Sequence, residues 1–209
     1  MFVSSNAQYP GLWTLDDTGK ELRQLTHGVY NEYPSCSPDG KWVLYDPFLG
    51  TPWVPQKIPW EGGKAVPLLD NFEGVSAYAC AFSPDGKWIA CRYVAAVDKP
   101  TQLAVIPSAG GAPSKVFDMP ALPISYWMKN GVYPYPPVRW APDGGALTYV
   151  VTKAGISNIW SQPLKDGPPQ QLTHFTDQQI FYFDWSPQGD LVLSRGSATS
   201  DAVLIRNLQ

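Results

Sequence analysis

Cysteine and histidine are scarce in this chain of 209 residues: Cys36, Cys80 and Cys91, and His27 and His174, are all there is of either. No two cysteines stand in a CxxC spacing, so the sequence supports neither a zinc site nor a disulfide, and the three are expected to be small buried apolar residues. Two histidines leave little for general acid–base chemistry near neutral pH. Both follow a Leu-Thr pair, at comparable and distant places, and are expected on the surface. There is no Gly-x-Ser-x-Gly elbow, no kinase glycine-rich loop, and no His-Arg-Asp or Asp-Phe-Gly segment, so these residues are expected to hold no catalytic machinery. Charged residues make up only 16%, the net charge is −3 and no long basic run occurs. That argues against nucleic acid and against an anionic membrane surface as partners. No apolar run approaches the roughly 20 residues that span a bilayer, so no direct membrane insertion is expected. Met1 to Gly11 has neither the basic nor the apolar region of a signal peptide. No long helical pattern, phosphate-cradling loop or calcium loop appears, and no cofactor and no metal are expected.

What the chain has in quantity is proline (22), glycine (18), tryptophan (9) and tyrosine (11). Such a mixture suits many short strands joined by turns. The turns repeat. Ser37-Pro38-Asp39-Gly40-Lys41-Trp42 returns as Ser83-Pro84-Asp85-Gly86-Lys87-Trp88, then more weakly as Ala141-Pro142-Asp143-Gly144 and Ser186-Pro187-Gln188-Gly189. The intervals are 46, 58 and 45 residues. A period in the mid-forties built from short strands means like β-units set side by side. In the turn, Pro presets φ, Asp bonds nearby backbone and Gly accepts φ > 0. One Asp per turn at Asp39, Asp85 and Asp143 therefore reads as backbone chemistry and not as a carboxylate cluster.

Each turn is flanked by apolar or alternating stretches, such as Tyr78 to Phe82 before and Trp88 to Cys91 after, which predict a hairpin. A second hairpin follows, for example Asn158-Ile159-Trp160-Ser161 and Gln170-Gln171-Leu172-Thr173. Each unit is thus four strands, a to d, with the Pro-Asp-Gly turn joining a to b. The chain divides into a partial unit 1–32, full units 33–75, 76–137 and 138–179, and a partial unit 180–209, with Ala202 to Asn207 as its strand c. The longer interval comes from an insertion rich in proline and aromatics within 121–137. Its Tyr126, Trp127, Lys129, Tyr133 and Tyr135 are the expected partner-binding residues, because insertions in repeat proteins gather on the binding face and aromatic anchors dominate interfaces.

The segment Tyr33 to Trp42, with Leu25-Thr26 before it, and Phe82 to Ile89 resemble the WD40-like repeat of TolB-type propellers, and Asn158 to Pro187 resembles it less closely. The third copy has Gly145 for Lys and the fourth Gln188 for Asp. The resemblance implies an all-β fold, a β-propeller segment of four-stranded antiparallel blades around a channel with strand a innermost, three blades full and two partial, in an incomplete ring. It implies a non-catalytic module for binding a protein or small ligand, within a larger bacterial protein. The ending from Leu193 to Asn207 also resembles the ends of bacterial serine/threonine kinases that carry such a propeller, and prolyl-type peptidases are fronted by one, so a regulatory role beside a catalytic domain outside this chain is the alternative. Uncovered blade edges are expected to cause self-association.

Overall fold

The computed structural model describes residues 2–4 (backbone only), 11–16, 18–27, 31–47, 53–69, 75–96, 99–120, 137–165, 167–186 and 188–197. These residues form strands and turns and no helix, so none of them provides a helix long and apolar enough to cross a membrane. Five antiparallel sheets follow one another along the chain. The first holds β1 (Phe2–Ser4), β2 (Gly11–Thr14) and β3 (Arg23–Gln24). The second holds β4 (Asn31–Cys36), β5 (Trp42–Pro47), β6 (Gln56–Pro59) and β7 (Val66–Pro67). The third holds β8 (Ser76–Phe82), β9 (Trp88–Val94), β10 (Gln102–Pro107) and β11 (Lys115–Asp118). In the fourth are β12 (Arg139–Trp140), β13 (Ala146–Lys153), β14 (Ile156–Pro163) and β15 (Gln170–Gln171); in the fifth, β16 (Gln179–Trp185) and β17 (Leu191–Gly196). Within each sheet, strand order is chain order, as expected for units of strands a to d. The expected strand Ala202 to Asn207 lies outside the described residues.

The sheets pack face to face, and each junction has its own apolar cluster. Leu12 and Leu25 meet Val43, Tyr45 and Ile58 between the first and second sheets. Leu44 and Leu68 meet Ile89, Cys91 and Ile106 at the next junction. Ala90 and Val105 meet Val138, Leu147 and Tyr149 at the third, and Val150 and Ile159 meet Ile180 and Phe183 at the fourth. Alternate residues of each strand b face opposite neighbours, which is why these strands are apolar throughout. Strands β4 and β8 also touch one another, as do β8 and β12, so the first strands of successive sheets line a common side.

The cysteines correct an expectation. Cys80 and Cys91 form a disulfide with an S–S length of 2.03 Å, and only Cys36 is free, on the surface. The bonded pair lies in adjacent strands of one hairpin: Ala81 faces Ala90 and Phe82 faces Ile89, which places Cys80 opposite Cys91. Cys36 faces Val43 and has no cysteine across from it. Cys36 and Cys80 are not equivalent, since one stands one residue and the other three residues before its turn.

Candidate functional site

The recurring turn is held by its own side chains. Ser37 Oγ donates to Asp39 Oδ1 at 2.6 Å and accepts from the Trp42 amide at 2.9 Å, while the Lys41 amide donates to Asp39 Oδ1 at 3.1 Å. Ser83, Asp85, Lys87 and Trp88 reproduce the set at 2.6, 3.1 and 3.0 Å. These bonds favour the ionised carboxylate, first through the serine hydroxyl, and hold Asp39 and Asp85 below the ordinary carboxylate range. In the third turn the Gly145 amide donates to Asp143 Oδ1 at 2.8 Å. The fourth turn is one residue shorter: the Ser186 amide bonds Asp190 O, where Ser37 and Ser83 reach the sixth residue of their turns, Trp42 and Trp88. The three aspartates therefore serve backbone, as expected. His27 and His174 are exposed.

The turns fix a register for the strand before each of them. Two residues ahead of the turn stand Ser35, Ala81, Arg139 and Asp184, one from each of β4, β8, β12 and β16. All four line a single cavity of about 330 Å³. Three residues ahead, Cys80, Val138 and Phe183 are buried in the packing, while Pro34 of β4 also lines the cavity. Around the cavity, Arg139 Nε lies 3.2 Å from Asp184 Oδ2, joining the fourth sheet to the fifth. The Arg139 guanidinium stands over the Tyr182 ring at 5.3 Å from its centroid and donates to the Tyr182 hydroxyl and, at 3.3 Å, to Val138 O. Behind it, Trp140 Nε1 donates to Ala81 O at 3.0 Å, tying β12 to β8 beneath the wall.

A second polar locus lies along β4 and β8, away from the turns. Glu32 and Asp46 face each other across β4 and β5. Asp46 is buried; its Oδ2 accepts the Ala79 amide at 2.6 Å from the next sheet, and its Oδ1 has no hydrogen-bond partner among the described residues. Burial raises its pKa to about 8, with the neighbouring Glu32 carboxylate adding to the rise. Ala79 takes φ 52° and Tyr33, four residues before the turn like Ala79, takes φ 50°, where β8 and β4 carry irregularities in their pairing.

These sheets can be compared with known propellers. TolB of Acinetobacter baumannii superposes with a TM-score of 0.66 at 18% identity, over 90% of this chain and 44% of that one. The fold is a TolB-type β-propeller segment. A TolB candidate from Agrobacterium tumefaciens superposes on the blades with a TM-score of 0.59 at 22% identity, over 84% of this chain and 57% of its own. In sequence, an uncharacterised protein of Agrobacterium fabrum is 27% identical over 176 residues, covering 84% of this chain and 54% of that protein. No family model matches. The chain thus spans about half the length of the proteins it resembles. In propeller terms, β4, β8, β12 and β16 correspond to innermost strands, and the cavity lies at their turn end, where a closed ring has the mouth of its channel.

Tyr126, Trp127, Lys129, Tyr133 and Tyr135 all lie outside the described residues. The channel-mouth residues escape the sequence reading because it follows the constant turn and the long insertion. Their signal was nonetheless present, as the position two residues before each turn, where residue type changes from blade to blade. Among the described residues no three His, Cys, Asp or Glu side chains group to hold a metal.

Proposed function

We propose that this chain is a non-catalytic recognition module within a larger propeller protein, and that it binds its ligand or partner at the channel mouth. One observation carries the proposal. Four successive blades deliver the same repeat position to one cavity, and the residues there are chemically unlike: Ser35, Ala81, Arg139 and Asp184. A recognition surface needs different groups around a common space, and three of these four residues are polar or charged and line one cavity. The charged side chains lining the cavity are Arg139 and Asp184, and they are paired with each other. The Cys80–Cys91 bond supports an oxidising, extracytoplasmic setting. The aromatic insertion remains our second contact region, through Trp127 and Tyr135.

A photo-reactive side chain placed at Ser35 should capture ligand or partner, and the same group at the exposed Lys165 should not. Equal capture from both places would remove the mouth as the binding surface. Trp127→Ala with Tyr135→Ala should weaken that capture without lowering the melting temperature. Hydrolase or phosphotransferase turnover that persists through purification would overturn the non-catalytic assignment.

A further inference from the structure

We infer that the channel mouth takes a neutral, hydroxyl-rich ligand, a sugar or related polyol; this rests on the reading of the mouth as a recognition site. Charge argues first. Arg139 and Asp184 are the charged residues among those lining the cavity, they lie 3.2 Å apart, and their charges cancel. An anion entering this space is repelled by Asp184 and a cation by Arg139, so the pair offers neither a net attraction. A neutral ligand meets no such barrier.

Hydrogen-bonding capacity argues second. The bonds to Val138 O and the Tyr182 hydroxyl use one N–H on each Nη of Arg139, and each Nη carries a second. Asp184 Oδ1 accepts the Trp185 amide at 2.9 Å, and the side chain is 53% exposed, so its oxygens have lone pairs turned to solvent. A donor and an acceptor thus sit side by side on an ion pair that holds their spacing. Adjacent hydroxyls on a sugar ring, each of which both donates and accepts, complement such a pair.

Shape argues third. Tyr182 is 47% exposed, and its ring is held by the guanidinium. Phe82, Pro34, Pro38 and Pro84 supply apolar wall to the same cavity. An apolar platform beside a few fixed polar groups suits a ring with C–H faces and a hydroxyl edge. A volume of about 330 Å³ lies at the small end for ligand sites and fits one or two sugar units better than a larger molecule.

The test uses the 209-residue chain, with saturation-transfer NMR and calorimetry on methyl β-glucopyranoside, glucuronate and glucosamine. The neutral glycoside should bind saturably and at least about fivefold more tightly than either charged sugar. Arg139→Ala should weaken it about tenfold, the loss of one good polar contact, with the melting temperature reported alongside. Asp184→Asn should move the preference toward glucuronate, because it leaves Arg139 without its counter-charge; a general loss of folding cannot produce that reversal. Wild-type preference for glucuronate, or an Arg139-dependent peptide site with no glycoside binding, would overturn the polyol inference and leave the recognition mouth standing. No Arg139-dependent binding of any of these probes, with peptides included, would remove both.

Discussion

Asp46 puts a carboxyl between two blades, one oxygen on the Ala79 amide and the other unpaired among the described residues. With its pKa raised to about 8 against an ordinary value of 3.8, the folded state holds a proton that the unfolded chain releases. Its contribution to stability is therefore greatest below about pH 4 and declines as pH rises toward 8. Asp46→Asn keeps the shape of the protonated acid and cannot ionise. Thermal melts should show it matching the wild type near pH 4 and exceeding it increasingly toward pH 8; a constant difference across that range would mean that Asp46 is ionised throughout. The turn serines make a second prediction. Ser37 and Ser83 each bridge the turn Asp and the amide that opens strand b, and the third turn carries Ala141 instead. Ser37→Ala removes two hydrogen bonds and should cost about 1–2 kcal/mol, and Ala141→Ser should raise the melting temperature. The turn residues are legible from sequence because all their bonds are made within six residues. Asp46 is not, because its burial depends on an irregularity in β8, 33 residues away, that leaves no local pattern.

Between blades, a recurring contact joins elements that no local rule connects. Arg23 donates to Trp60 O, Lys57 to Ser108 O, and Lys115 to Leu164 O at 2.7 Å. The acceptors are equivalent: each follows a proline that ends strand c, and their amides bond Lys41 O, Lys87 O and Gly145 O. The donors are equivalent in a looser sense. Strands c and d place Thr14 opposite Arg23, Lys57 opposite Val66, and Val105 opposite Lys115. The cation sits on either strand of that pair, and its tip reaches the same carbonyl. In the fourth sheet the pair is Ser161 and Gln170, with no cation. Lys57→Val should destabilise by about 2 kcal/mol, the order of a hydrogen bond to a charged group. Adding Val66→Lys should restore much of it in denaturant titrations, and no recovery would show that Lys57 acts through its buried stem alone. Strand order and hairpins follow from sequence, since Pro-Asp-Gly and alternating apolar residues report on neighbours. The staple is hidden because its donor changes strand between blades.

For the molecule as a whole, the disulfide and the ring decide behaviour. Thiol counting in denaturant should find one reactive cysteine before reduction, Cys36, and three after; three before reduction would refute the Cys80–Cys91 bond. Removing both bonded cysteines should cost roughly 3 kcal/mol for a cross-link with a separation of 11 residues. The pair was legible in principle: Cys80 precedes Ser83 by three residues and Cys91 follows Trp88 by three, which makes them opposite in the hairpin. A search for CxxC spacing misses it, since hairpin pairs are defined by distance from the turn. At the last blade, Val192 is 61% exposed, while Leu44, Ala90 and Thr148 at the equivalent position are fully buried by the following blade. We expect concentration-dependent self-association in light scattering, reduced by Val192→Lys; a monomer at all concentrations would count against it.

Near the turn ends of β8, β12 and β16, Cys80, Val138 and Phe183 pack between blades, while their next neighbours Ala81, Arg139 and Asp184 line the mouth. Cohesion and selectivity are therefore written on interleaved letters of the same few residues. Such a ring can be re-addressed to a new ligand at its exposed facing letters, such as Asp184, without a change to the packed ones.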